Sequence, residues 1–201
     1  MLRNYLLVTL RNLLKTRIYS FINISGLAIG IACSILIMLW VNDELSYDKF
    51  IPKEERLYQL MINAHYNDKI NTWMSVPLPA QQEMKLAHHQ IANAAVTDWG
   101  AERLIVFNEK KLLRKSYWVS KEFLTMFEFT YLAGNPETAF DDPKSIIITE
   151  SMQEELFDGQ DAMGKIVRVN DKSDLTVTAI IADIPGNSTF QFDFLVPWKA
   201  V

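Results

Sequence analysis

Between Ile18 and Val41 the chain reads IYSFINISGLAIGIACSILIMLWV, a run with no charged residue. At about 1.5 Å per helical residue it covers roughly 36 Å, enough to cross a hydrocarbon core of about 30 Å. Its polar members, among them Ser20, Asn23, Ser25 and Ser34, are mild. Uncharged runs this long are rare in buried helices of soluble proteins, so the segment predicts a membrane-spanning helix over 18–41. A cleaved signal peptide has an apolar core of about 7–15 residues and a small-residue cleavage site. This run is longer, and no clean site precedes Trp40. The single cysteine, Cys33, lies in GIAC, without the leucine three residues earlier that a lipoprotein anchor uses. It reads as a small membrane-facing or helix-packing residue, and one cysteine excludes a disulfide framework within the chain.

Charge divides the chain into three parts. Residues 1–17 carry Arg3, Arg11, Lys15 and Arg17 and no acid, the span carries nothing, and residues 42–201 are acidic. An acidic body argues against nucleic acid as partner, which needs clustered Lys and Arg. Basic residues before a span and Asp43-Glu44 after it predict a cytoplasmic N-terminus and an extracytoplasmic body. Arg11, Lys15, Arg17 and Trp40 are the expected interface anchors, with Tyr47 placed similarly. Leu2, Leu6, Leu10 and Leu13 share one helical face and Asn4, Arg11, Asn12 and Lys15 the other. That pattern predicts a basic amphipathic helix over 1–17 along the inner membrane surface, the alternative being a plain extension of the span. Within the span, Gly26, Gly30 and Ser34 recur every four residues. Small residues at that spacing let a second helix approach closely. Glycine is common in such helices, so composition alone is the competing account.

Residues 42–201 predict one mixed α and β domain. RLYQLMINA (56–64) alternates as a strand, and a helix begins near Pro79. ERLIVFNEKKLLRKSYWVS reads as two strands around Asn108-Glu109-Lys110, and KEFLTMF as a short helix. KSIIITESMQEELF is a strand running into a helix capped by Thr149. KIVRVNDKSDLTVTAIIADIP is a hairpin around 170–172, with Leu175, Val177, Ala179 and Ile181 on one face. TFQFDFLV predicts a strand with Phe190, Phe192, Phe194 and Val196 inward, against a helix around Met152, Leu156 and Phe157.

The stretch GQDAMGKI (159–166) is one residue short of a phosphate-binding loop, since Ile166 stands where Ser or Thr would hold magnesium. A phosphate loop follows a strand and opens a helix. Here a helix precedes and a strand follows, and Asp158 and Asp161 repel phosphate, so Gly159 and Gly164 read as turn residues. His88-His89 point about 100° apart on a helix and share no metal easily. Asp141-Asp142 and Asp171/Asp174 lack calcium-loop spacing and read as turn acids. No catalytic, metal or cofactor site emerges.

RNLLKTRIYSFINISGLAIGIACSILIMLWVNDELSYDKF, followed in order by FLTMFEFTYLAGNPETAF, DPKSIIITESMQEELF, GKIVRVND and VTAIIADIPGNSTFQFDFLV, resembles FtsX-like permeases with a MacB-like periplasmic core domain. The resemblance covers nearly the whole chain. It implies an α+β fold: one N-terminal transmembrane helix, then a mixed extracytoplasmic domain. It implies a membrane subunit of an ABC transporter, in the bacterial inner membrane, that carries ATP-driven motion to the far side for export or extrusion of a substrate. It implies that hydrolysis resides on a cytoplasmic ATPase partner, so the chain itself is no enzyme. Further implied partners are a second permease unit, as homodimer or internal repeat, and periplasmic or outer-membrane proteins. Such permeases have at least four spans, so the resemblance also implies an N-terminal part of a longer protein with an incomplete domain. A single-span anchored binding or sensing module is the alternative.

Overall fold

The computed structural model describes residues 2–200, apart from the side chains of Leu2, Arg3, Leu6 and Leu10. The chain divides into two units, residues 1–47 and 48–201.

The first unit is two helices, α1 (Leu2–Lys15) and α2 (Arg17–Leu45). Thr16 separates them, with φ −110° and ψ 53°. Its backbone N–H and its hydroxyl both donate to the Asn12 carbonyl, at 3.1 and 3.0 Å, so helical hydrogen bonding runs on through this residue. The basic tip and the apolar run thus fall on two consecutive helices. Of the predicted amphipathic faces, Leu2, Leu6 and Leu10 lie outside the described residues, while Leu13, Arg11, Asn12 and Lys15 are exposed. α2 is about 43 Å long at 1.5 Å per residue, and none of its residues is buried. A helix apolar on every side and exposed on every side has no stable place in water. It is a candidate membrane helix.

In the second unit, β1 (Ile62–Tyr66) and β2 (Lys69–Trp73) form a separate two-stranded hairpin. Its turn residues Asn67 and Asp68 both take positive φ, as a two-residue hairpin turn of this hand requires. The predicted strand over 56–64 is thus mostly a different structure. A single 3-10 turn occupies Glu54–Arg56, and only the end of the segment is strand. Then come α3 (Ala80–Ala87), β3 (Ala101–Phe107), β4 (Lys110–Val119), α4 (Lys121–Phe127) and β5 (Tyr131–Gly134). β6 (Ser145–Thr149) leads into α5 (Glu150–Phe157), and β7 (Ile166–Val169), β8 (Ser173–Ile181) and β9 (Phe194–Pro197) complete the order. Thr149 caps α5 as expected, accepting the Met152 N–H at 3.4 Å.

Seven strands make the main sheet, in the order β5-β8-β6-β9-β4-β3-β7. β7 also pairs antiparallel with the first half of β8, so the sheet closes on itself through β8. β4–β9 and β6–β8 are parallel, and the other pairs antiparallel. Closure leaves the middle strands without a wet face, and every residue of β6 and β9 is buried.

Two cores result. One holds Ile105, Ile146, Ile148, Val167, Leu175, Phe194 and Val196 against Met152, Leu156 and Phe157 of α5. The other holds Tyr117, Val119, Ile147, Ala179, Ile181, Phe192 and Leu195 against Phe123 and Leu124 of α4. Alternate residues of β6 and β9 serve opposite cores, as the two-residue period of a strand dictates. The expected one-sided patterns break here for a physical reason. β8 pairs Val177 with Ile146 and Ala179 with Ile147, leaving Thr178 as an extra residue. This bulge moves Ala179 and Ile181 to the face opposite Leu175 and Val177. Phe190 and Phe192 precede β9, and Phe192 lies in the second core while Phe194 lies in the first.

Candidate functional site

The residues expected to act in the membrane all lie in the first unit. Gly26, Gly30 and Ser34 line one shallow groove along α2, flanked by Ile22, Leu27 and Met38. A Cβ at Gly26 or Gly30 would meet nothing within 4 Å, so among the described residues no neighbour explains either glycine. The Ser34 hydroxyl donates to the Gly30 carbonyl at 2.8 Å. It therefore contributes smallness to the groove and no free donor. Arg11, Lys15 and Trp40 are exposed, and Arg17 Nε donates to the Leu14 carbonyl at 3.2 Å, near the end of α1. Cys33 is free and exposed.

In the second unit, the near-miss loop runs from the end of α5 into β7, the reverse of a phosphate loop. Asp158 and Gly159 take left-handed φ at the helix end, a C-terminal cap. Lys165 Nζ lies 5.1 Å from the Phe157 ring centre and 5.7 Å from that of Phe107. Its charge is turned onto aromatic faces, a packing role. Asp141 pairs with Lys121 at 2.6 Å, Asp142 accepts the Lys144 N–H at 2.8 Å, and Asp174 pairs with Arg168 at 2.7 Å. The Arg168 hydrogen bond holds the Asp174 carboxyl below its ordinary range. Among the described residues no group of three or more His, Cys, Asp or Glu could hold a metal ion.

Two half-buried polar groups stand out. Burial pushes the Tyr131 phenol up to about 12, and its hydroxyl has no hydrogen-bond partner among the described residues. Burial also raises the Asp193 carboxyl above its ordinary range, although its Oδ2 accepts the Lys115 N–H at 3.0 Å and Arg114 opposes the shift.

One constellation escaped the sequence reading. Asp48, in the quoted DELSYDKF, accepts the Thr189 N–H at 2.8 Å and the Thr189 hydroxyl at 2.6 Å. Its own N–H donates to the Asn187 carbonyl at 2.9 Å. The partners lie 141 residues apart, so no local pattern announces them.

The chain is thus a sheet-rich α+β domain behind one long apolar helix. The family described as the MacB-like periplasmic core domain matches residues 20–201, and the chain belongs to it. That family is one of ABC transporter permeases, which work with cytoplasmic ATPases. Among solved structures, a domain of a putative permease protein from Porphyromonas gingivalis aligns at 24% identity and TM-score 0.48, over 54% of this chain and 52% of that one. The periplasmic region of MacB from Actinobacillus actinomycetemcomitans aligns at 14% identity and TM-score 0.46, over 58% and 53%. The extracellular domain of the noncanonic ABC-type transporter YknZ from Gram-positive bacteria gives 16% and 0.42, over 52% and 54%. The chain thus spans about half the length of these structures. No curated protein matches it.

Proposed function

We propose that this chain is a membrane subunit of an ABC transporter in the bacterial inner membrane, carrying ATP-driven motion from a cytoplasmic ATPase to an extracytoplasmic domain. In this reading residues 1–17 lie at the inner surface, 18–41 cross the membrane, and 42–201 work on the far side. The carrying observation is one chain that joins an entirely exposed apolar helix, Arg17–Leu45, to a MacB-like domain. Four basic residues before the helix and Asp43-Glu44 after it support an inside N-terminus. The open groove over Gly26 and Gly30 supports a second permease unit as neighbour. The substrate is moved, or a periplasmic or outer-membrane partner is acted on, outside the cytoplasm, and hydrolysis stays with the ATPase.

The test has two parts. A reporter active only outside the cytoplasm, fused after residue 70, is expected to be active. Affinity purification of the tagged chain from its own membranes is expected to bring down an ABC ATPase whose activity vanadate stops. A silent reporter in a stably inserted chain overturns the orientation, and an isolate devoid of any ATPase overturns the transporter reading.

A further inference from the structure

We propose that Asp48 is the positioning residue that delivers pull on the membrane helix to the middle of the sheet, an inference that rests on the transmitter reading above. α2 ends at Leu45, and three residues later the chain is hydrogen-bonded to residues 187 and 189. Asp48 takes φ +57°, a left-handed conformation that Asp tolerates better than most residues. There it accepts two hydrogen bonds from Thr189, gives one to the Asn187 carbonyl, and receives the Ile51 N–H on its own carbonyl at 2.9 Å. Ile51 is buried, which locks the turn from the other side.

The ion pairs Lys49–Glu54 and Lys53–Glu128 of this segment both lie at the surface. Exposed pairs of that kind hold little. A carboxylate taking an N–H and an O–H together is stronger and more directional.

The far end of the tie matters as much. Residues 187–189 run directly into Phe190 and Phe192. Phe190 packs edge-on against Phe127 at 5.2 Å and Phe123 at 5.4 Å, and Phe192 against Phe129 at 5.6 Å. Two residues later the chain becomes β9, which is hydrogen-bonded to β4 on one side and β6 on the other. Displacement of residue 48 therefore reaches the strand between two neighbours by way of a packed aromatic cluster. Hydrogen-bonded links and close-packed rings transmit displacement because neither compresses readily.

The experiment is single-molecule pulling on the whole chain in lipid nanodiscs. Handles are placed through Tyr47→Cys and Lys172→Cys in a Cys33→Ser background. Force then crosses the tie before it reaches the sheet. The parent is expected to show two events: release of the segment after residue 47, then unfolding of the closed sheet. Asp48→Ala removes both Thr189 bonds, and its first event is expected to fall to well under half the parent's force while the second keeps its force. Thr189→Val removes only the hydroxyl bond and is expected to lower the first event partially. Asp48→Asn keeps an acceptor for the N–H and a polar partner for the hydroxyl, and is expected to restore most of it. A first event unchanged in Asp48→Ala overturns the proposal. So does an equal fall in both events, which would mark a general stability role. Because no ATPase or substrate enters the measurement, its failure is separate from failure of the transporter reading.

Discussion

Phe192 and Gln191 are neighbours with opposite duties. Phe192 is buried among Tyr117, Phe129 and Leu195. Truncation to Ala is expected to cost about 3–5 kcal/mol. Gln191 is half-buried, and its amide donates to the Pro185 carbonyl at 2.6 Å and the Ser188 carbonyl at 3.3 Å. Strict alternation would make Gln191 a bystander, but Gln191→Ala is expected to cost about 1 kcal/mol for these bonds. Denaturant midpoints of the two variants check the contrast. Asp193 sets a pH signature. Its carboxyl is raised by burial, so in the window between the ordinary carboxylate range and its raised value the folded state binds more protons than the unfolded state. Stability contributed by this group is then present at low pH and is lost as pH rises through the folded-state value. Asp193→Asn keeps an acceptor for Lys115 without the charge. It is expected to match the parent below the carboxylate range and to exceed it increasingly as pH rises, levelling off above. Urea melts at a series of pH values give the gap; a gap that widens toward acid would contradict the assignment.

At the scale of elements, the bulge at Thr178 explains both a packing choice and a glycine. Gly134 of β5 sits beside it at φ +88°, and a Cβ there would lie 2.5 Å from the Thr178 carbonyl oxygen and 2.8 Å from the Ala179 Cα. Gly134→Ala is expected to destabilise by about 2–4 kcal/mol, through strain and overpacking together. Gly159, at φ +70° with open space around it, is the control, and Gly159→Ala is expected to cost about 1 kcal/mol. Thermal melts of the two variants separate backbone strain from collision. The same bulge marks where sequence reading stops. The β3–β4 and β7–β8 hairpins, α4, and the Thr149 cap of α5 were legible because their signals are local: turn residues, a cap, a short apolar period. The switch of faces inside β8 was not, because a bulge is defined by the partner strand. β2 was missed for the opposite reason. Every residue of KINTW is exposed, so burial leaves no alternation to read. Asp48 carries no local signal, since its bonds are to Thr189, 141 residues away.

For the molecule as a whole, the family and fold were legible from ordered motifs along nearly the full chain, and the MacB-like match over 20–201 bears them out. The proposed helix–helix contact rests on open surface: α2 has no buried residue, and a Cβ at Gly26 or Gly30 meets nothing within 4 Å. Gly26→Ile with Gly30→Ile keeps the helix hydrophobic while closing the groove to a second backbone. Membrane insertion is expected to survive, while crosslinking to neighbouring permease helices and the co-purifying ATPase activity are expected to fall. Unchanged crosslinking and activity would leave the two glycines as composition alone.

The closed sheet also dictates a timetable. A ring has no first strand, but a chain leaving the ribosome does. β4 and β6 are made earlier, yet each waits for β9, the last strand described, to occupy the edge between them. Until Phe194–Pro197 arrives, two strands in the middle of the eventual sheet remain open to strangers, and the aromatic cluster lacks Phe190 and Phe192. Parallel partners so distant in sequence meet slowly, and unpaired edges invite mispairing. The most hazardous moment in the life of this domain therefore falls during its own synthesis, in the interval between the making of β6 and the arrival of β9.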